Sequence, residues 1–118
     1  DKNKLNQAFS LSRLSEYQNN LGNFQQAKKY LNEAIIAADA STSERVKIHV
    51  RKNMATILSQ NKEFEESESL LLETIIMAKT YQMQRDQIEL MQMLAETYYQ
   101  LKAFEKAYLT LKDTNLLY

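Results

Sequence analysis

The stretch LGNFQQAKKYLNEAI, residues 21–35, holds the only glycine of the chain, and its Phe24 returns as Phe64 in KEFEESESLLLETI and as Phe104 in KAFEKAYLTLKDTN. Three of the four phenylalanines thus stand 40 residues apart. The same shift superimposes Ala27, Ser67 and Ala107, then Leu31, Leu71 and Leu111. Upstream it aligns Leu14, Met54 and Leu94, and next to them Ser15, Ala55 and Ala95. Small residues recur where the others are small and large ones where the others are large. Close-packed interiors require this of a repeated geometry, because a small side chain lets a neighbouring element approach where a large one clashes.

Counting from Phe24, the residues Ala27, Leu31, Ala34, Ile35 and Ala38 form one stripe of a 3.6-residue helix, and an equivalent stripe runs from Phe64 to Ala78. A second amphipathic segment precedes each Phe: Leu5, Ala8, Leu11, Leu14 and Tyr17, then Val46, Val50, Met54, Ile57 and Leu58, then Leu90, Met91, Leu94, Tyr98 and Leu101. Each unit reads as a helical hairpin, with helices expected at 4–20, 24–39, 43–60, 64–80, 84–100 and 104–117, in repeats at 4–40, 43–80 and 84–118. Gly22 suits a left-handed exit from the first helix and Asn23 a cap for the second. Ser41-x-x-Glu44 has capping-box spacing and sets a helix start near residue 42. The break after Thr80 carries no comparable signal.

The bulk composition agrees. With no Pro and one Gly in 118 residues, there is little to punctuate strands and long loops, and the length suits one domain. Fifteen basic residues balance fifteen acidic ones, which removes the electrostatic drive for nucleic-acid binding or for an anionic membrane. No run approaches the ~18 apolar residues of a membrane span. The absence of Cys excludes disulfides, thiolate nucleophiles and cysteine-ligated metal, and it fits cytoplasm or periplasm equally. The chain opens on Asp1 without Met or a signal-peptide core, so we expect a piece excised from a longer protein.

No catalytic, cofactor or metal constellation emerges. His49 is the single histidine, which rules out a histidine relay and suits a solvated or groove-lining position. Glu63, Glu65, Glu66 and Glu68 gather where a helix begins, a favourable place for carboxylates on a solvated face. Lys28-Lys29 and Arg51-Lys52 are the densest basic spots, too short for a phosphate-tracking stripe. Gly22 stands alone, so there is no phosphate-cradling loop.

At this point the chain resembles the tetratricopeptide repeat family. The likeness rests on LSEYQNNLGNFQQAKKYLNEAI (residues 14–35) and LAETYYQLKAFEKAY (94–108), where a Leu-small pair, an aromatic, a second aromatic after the turn and a small residue stand in family order. The departures are Leu11, Arg51 and Met91 where the family has its first-helix tryptophan, Ser67 and Thr74 where Ala is usual, and a period of 40 rather than about 34. The resemblance implies an all-α, right-handed superhelical solenoid of three hairpins, six antiparallel helices in all. It also implies a non-catalytic protein- or peptide-interaction or sensing module, without cofactor, in a larger bacterial signalling protein whose output domain is covalently attached.

Family geometry places the first helices on a concave face, whose lining by phase includes Phe9, Ser12, Glu16 and Asn20, then His49, Lys52, Asn53 and Thr56, then Gln92, Glu96 and Tyr99. Mixed charge among these argues against a clamp for acidic tails and leaves an amide-rich groove with Tyr99 as an anchor. Leu116, Leu117 and Tyr118 give the final helix an apolar face, expected to be covered by a further helix or by a second copy in a homodimer. An architectural role through such terminal faces is the alternative to partner binding in the groove.

Overall fold

The computed structural model describes residues 2–117. Six helices account for them: α1 (Lys2–Asn20), α2 (Phe24–Asp39), α3 (Glu44–Gln60), α4 (Phe64–Thr80), α5 (Gln84–Gln100) and α6 (Phe104–Asn115). Phe24, Phe64 and Phe104 each occupy the first position of a helix, as the repeat requires. The residues gather into two compact units, 1–57 and 58–118, with the division inside α3.

In the first unit α1 packs along α2. The core side of α2 is the stripe read from the sequence, with Ala27, Leu31, Ala34 and Ala38 fully buried. α1 turns differently from expectation. Ala8, Ser12 and Ser15 are its buried residues, while Leu14 and Tyr17 are exposed and Leu5 and Leu11 half-buried. Small residues at those three positions allow the close approach of a neighbouring helix, and the larger leucines are left to the flanks. Ser15 satisfies its hydroxyl by donating to the carbonyl of Ser12 one turn earlier.

Arg51 is also placed otherwise than its sequence neighbour Lys52 suggested. Its guanidinium is buried and bidentate to Asp39 at the end of α2, with Nη1 donating to Oδ1 at 2.9 Å and Nη2 to Oδ2 at 2.8 Å. Nη1 also donates to the Lys47 carbonyl at 3.1 Å. A planar fork matched to a carboxylate is the geometry that makes an enclosed arginine tolerable.

In the second unit α5 packs against both α4 and α6. Ser67, Leu71, Thr74, Ile75 and Ala78 are buried on α4, and Leu90, Leu94, Ala95, Thr97 and Tyr98 on α5. The hydroxyls at positions where the family prefers Ala return to the helix backbone: Thr74 donates to the Leu70 carbonyl at 2.6 Å and Thr114 to that of Thr110 at 2.8 Å. Among the described residues no buried side-chain nitrogen or oxygen lacks a partner.

Four of the five connections share one construction. Asn23, Glu63, Met83 and Ala103 each donate a backbone N–H to the carbonyl five residues earlier, at 2.8 to 2.9 Å, and the residue before each has positive φ: Gly22 at 84°, Lys62 at 62°, Gln82 at 58° and Lys102 at 61°. These are Schellman turns, in which one left-handed residue lets the last carbonyls find donors. Asn23 therefore does not act as a side-chain cap; its amide donates instead to Gln18 Oε1 at 2.8 Å. The fifth connection, Ala40 to Ser43, runs on serines. Ser41 Oγ donates to the Ala38 carbonyl at 2.6 Å, and Ser43 Oγ accepts the Val46 N–H at 3.2 Å. The cap of α3 is thus Ser43 and not Ser41, two residues later than the Ser41-x-x-Glu44 spacing proposed.

Candidate functional site

The exposed side of α1 in the first unit carries Phe9, Arg13, Glu16 and Asn20 on one stripe, with the buried Ser12 at its edge. His49 and Asn53, one helical turn apart on α3, meet it. Asn53 Nδ2 donates to Ser12 Oγ at 2.6 Å and to Glu16 Oε1 at 3.2 Å, while His49 Nε2 lies 3.5 Å away. A carboxylate can only accept, so the Glu16 contact fixes which end of the amide faces it. The amide nitrogen has two protons and three acceptors around it. Ser12 and Glu16 are the closer partners, and the His49 ring nitrogen completes the cluster at its outer edge.

That space is a cleft of about 560 Å³ lined by Phe9, Ser12, Arg13, Glu16, Tyr17, Asn20 and His49. The Phe9 and His49 rings stand 5.8 Å apart, tilted by 54°. The walls therefore combine the exposed rings of Phe9, Tyr17 and His49, one cation, one carboxylate and the Asn20 amide. Such a lining is equipped to hydrogen-bond an extended chain and hold one apolar side chain.

The helical pairs in this fold and the turn construction lead to solved structures of the same kind. No protein-family model matches the chain, and no curated protein matches it. The tetratricopeptide domain of Arabidopsis FLU superimposes with a TM-score of 0.80 at 13% identity, covering 96% of this chain and 95% of that one. The nearly identical tetratricopeptide-like repeats of a Podosopora anserina kinesin light chain superimpose with a TM-score of 0.75 at 18% identity, covering 92% of this chain. A variant of those repeats gives 0.79 at 18% identity and covers 93% of this chain. The fold is that of tetratricopeptide repeats. The chain spans about half the length of the kinesin light chain structures, 53% and 54%.

Of the residues the sequence assigned to a concave tetratricopeptide face, the first unit brings Glu16, His49 and Asn53 into direct contact and places Asn20 on the same cleft wall. Lys52 and Thr56 stand a turn apart on α3, where the Thr56 hydroxyl donates to the Lys52 carbonyl at 2.9 Å. Arg13 and Tyr17 line the cleft without having been singled out for it. Arg13 has the spacing to be found, since it falls in the stripe of Phe9, Glu16 and Asn20. Tyr17 was assigned to the core stripe.

In the second unit Gln92, Glu96 and Tyr99 are all exposed on α5. Gln100 Nε2 donates to Glu96 Oε1 at 3.1 Å. The Tyr99 ring meets the edge of Phe104 across the turn, with centroids 5.4 Å apart at 66°. Beneath this surface lies the buried Tyr98, whose phenol is raised above its ordinary value, first by burial and then by the carboxylate of Glu68, to which it donates a hydrogen bond.

At the end of the chain Leu116 is exposed and Leu117 half-buried, its carbonyl accepting from Gln84 Nε2; both lie in a turn after α6. Tyr118 lies outside the described residues. Leu116 is in phase with Ile36 and Ile76, which are exposed as well, so its exposure is a feature of every repeat and not of the end. Among the described residues no group of three or more His, Cys, Asp or Glu side chains is placed to hold a metal ion, and no helix is long and apolar enough to cross a membrane.

Proposed function

We propose that this chain is a non-catalytic protein- or peptide-interaction module, and that the cleft between α1 and α3 receives an extended peptide. The observation that carries the reading is the Ser12–Glu16–Asn53–His49 cluster. Asn53 ties Ser12, Glu16 and His49 together along the wall of an open cleft that is also lined by Phe9 and Tyr17. Pre-ordering of this kind reduces the entropy lost when a flexible ligand is captured. The long repeat period, similar to that of bacterial sensor and regulatory modules, supports a place in a larger signalling protein with an attached output domain.

The test is peptide selection from a random display library on the 118-residue chain, followed by Kd measurement with Asn53→Ala and His49→Ala. Each substitution is expected to weaken the selected peptides by about tenfold or more, one contact worth at least ~1.4 kcal/mol, with the helical circular dichroism unchanged. Peptides that bind both variants as tightly as the parent would place the interaction elsewhere.

A second reading, self-association through the terminal helices, is favoured by the exposure of Phe104, Tyr108 and Leu111 along α6. Three large apolar side chains on one stripe are more than a solvated helix face ordinarily carries.

A further inference from the structure

The second helix of each hairpin keeps one large apolar residue in water at the same repeat position: Ile36 is 70% exposed, Ile76 65% and Leu116 80%. Ile36 has a repeat after it and Ile76 has one on either side, so neighbouring repeats leave this position open. On α2 and α6 the residue one turn earlier is polar, Asn32 and Lys112. On α4 it is Leu72, 43% exposed. Two aliphatic side chains therefore stand together in water in the middle repeat, where the first and last positions of the chain play no part.

They belong to a longer seam. Glu65, Ser69, Leu72, Ile76 and Lys79 follow one another at intervals of four, three, four and three residues, and all five are exposed. That alternation is the seam by which one helix meets another lying along it. Ser69 is small and lets a second helix come close. The charge beside the seam is one-sided. α2 carries Lys28 and Lys29 and α6 carries Lys106 and Lys112, whereas α4 has no basic residue from 64 to 78 and exposes the carboxylates of Glu65, Glu66 and Glu73. Lys79 closes the far end.

We propose that the solvent side of α4 docks a cationic amphipathic helix of another protein. Its apolar stripe lies on Leu72 and Ile76, and lysines or arginines on its flanks meet Glu65, Glu66 and Glu73. Charge complementarity selects this occupant: an acidic helix would set like charges against those carboxylates, while long cationic side chains lay their aliphatic stems over Leu72 and Ile76 and carry their heads to the acids. The surface is on a different helix from the peptide cleft, and neither reading depends on the other.

Two synthetic three-heptad helices test this on the 118-residue chain, both with a leucine seam and carrying either lysine or glutamate at the flanking positions. Fluorescence anisotropy is expected to show the lysine helix binding at least about tenfold more tightly than the glutamate helix. Leu72→Ser with Ile76→Ser removes the apolar seam and keeps every charge, and is expected to weaken the lysine helix about tenfold; Glu65→Gln with Glu73→Gln keeps the seam and is expected to do the same. Ile36→Ser, at the matching position of α2, is expected to change nothing, and unchanged helical circular dichroism confirms that all three variants fold. Binding that needs the carboxylates but ignores Leu72 and Ile76 is charge attraction without a docking seam and would overturn the proposal. So would equal binding of the two helices, no binding of the lysine helix, or an equal loss with Ile36→Ser. A parent that dimerises in sedimentation equilibrium and becomes monomeric with Leu72→Ser and Ile76→Ser would overturn it in favour of a second copy of the chain on this face.

Discussion

The junction from α2 to α3 and the junction from α4 to α5 occupy the same place in the repeat and are held by different chemistry. The first is clamped by the Arg51–Asp39 fork and turned by Ser41 and Ser43. The second has Met91 and Lys79 where those charged partners would stand and a Schellman turn through Gln82, while the bond from Tyr98 to Glu68 ties the same two helices at their other end. The repeat thus preserves the sizes of side chains while leaving polar partners free to differ. Size is what neighbouring helices detect at every contact, whereas a buried charge needs only one correctly placed partner.

The sharpest way to break this comparison is to remove one half of the fork. Asp39→Ala leaves the buried Arg51 guanidinium without its carboxylate and is expected to destabilise the chain by about 3–5 kcal/mol. Arg51→Met should be far milder, about 1 kcal/mol, because an apolar side chain already fills the equivalent position at Met91 and the half-exposed Asp39 regains water. Urea denaturation of both variants measures the difference. Equal losses would mean that the fork is a surface pair and that the two junctions do not differ in kind.

The α4–α5 pair is tested through Tyr98. Tyr98→Phe removes a buried hydrogen bond to a carboxylate and should cost about 1.5 kcal/mol near neutral pH. The sign with pH follows from the raised phenol. The folded chain favours the neutral form, so this contribution is fully present below the ordinary value of 10.0 and is lost as pH rises through the higher folded value. The urea midpoint of the parent should therefore fall more steeply above pH 10 than that of Tyr98→Phe. Parallel curves would remove Tyr98 from the account.

Next in size is the cap. Ser43→Ala deprives the Val46 N–H of its acceptor and is expected to cost about 1 kcal/mol. Glu63→Ala, at the start of α4 where no side chain caps the helix, should be close to neutral. A thermal melt of the pair decides whether the serine turn differs from the Schellman turns in its dependence on side chains.

The sequence made the helices legible because their periodicity is long and repeated: Phe24, Phe64 and Phe104 start helices where they were placed, and the stripe from Ala27 to Ala38 is buried as read. The one-turn spacing of Ser12 and Glu16, and of His49 and Asn53, puts each pair on one helix face, but their meeting through Asn53 is not written in either spacing. Apolar identity could not say which leucines of α1 would be covered, because Leu14 and Leu94 are the same residue at the same phase and are 43% and 4% exposed. Nor could periodicity find Arg51, whose partner lies on the preceding helix. Tyr99 was read as a groove anchor, but its neighbour Phe104 follows from the turn and not from the helix phase.

The turn after Thr80 carries no glycine signal in the sequence because Gln82, at φ 58°, takes the conformation that glycine takes at residue 22. This sets up the smallest effect. A Cβ at Gly22 would meet nothing within 4 Å, so Gly22→Ala carries only the backbone penalty of a left-handed conformation, about 1 kcal/mol less the entropy gained by removing glycine from the unfolded chain. The same difference with opposite sign should stabilise Gln82→Gly by about 0.5 kcal/mol, and Lys62→Gly and Lys102→Gly similarly. Differential scanning calorimetry of the four variants makes the test internal: three small gains against one small loss. If Gln82→Gly loses stability while Lys62→Gly and Lys102→Gly gain it, the Gln82 side chain holds the α4–α5 junction together, and the two junctions are alike in relying on side-chain polar contacts.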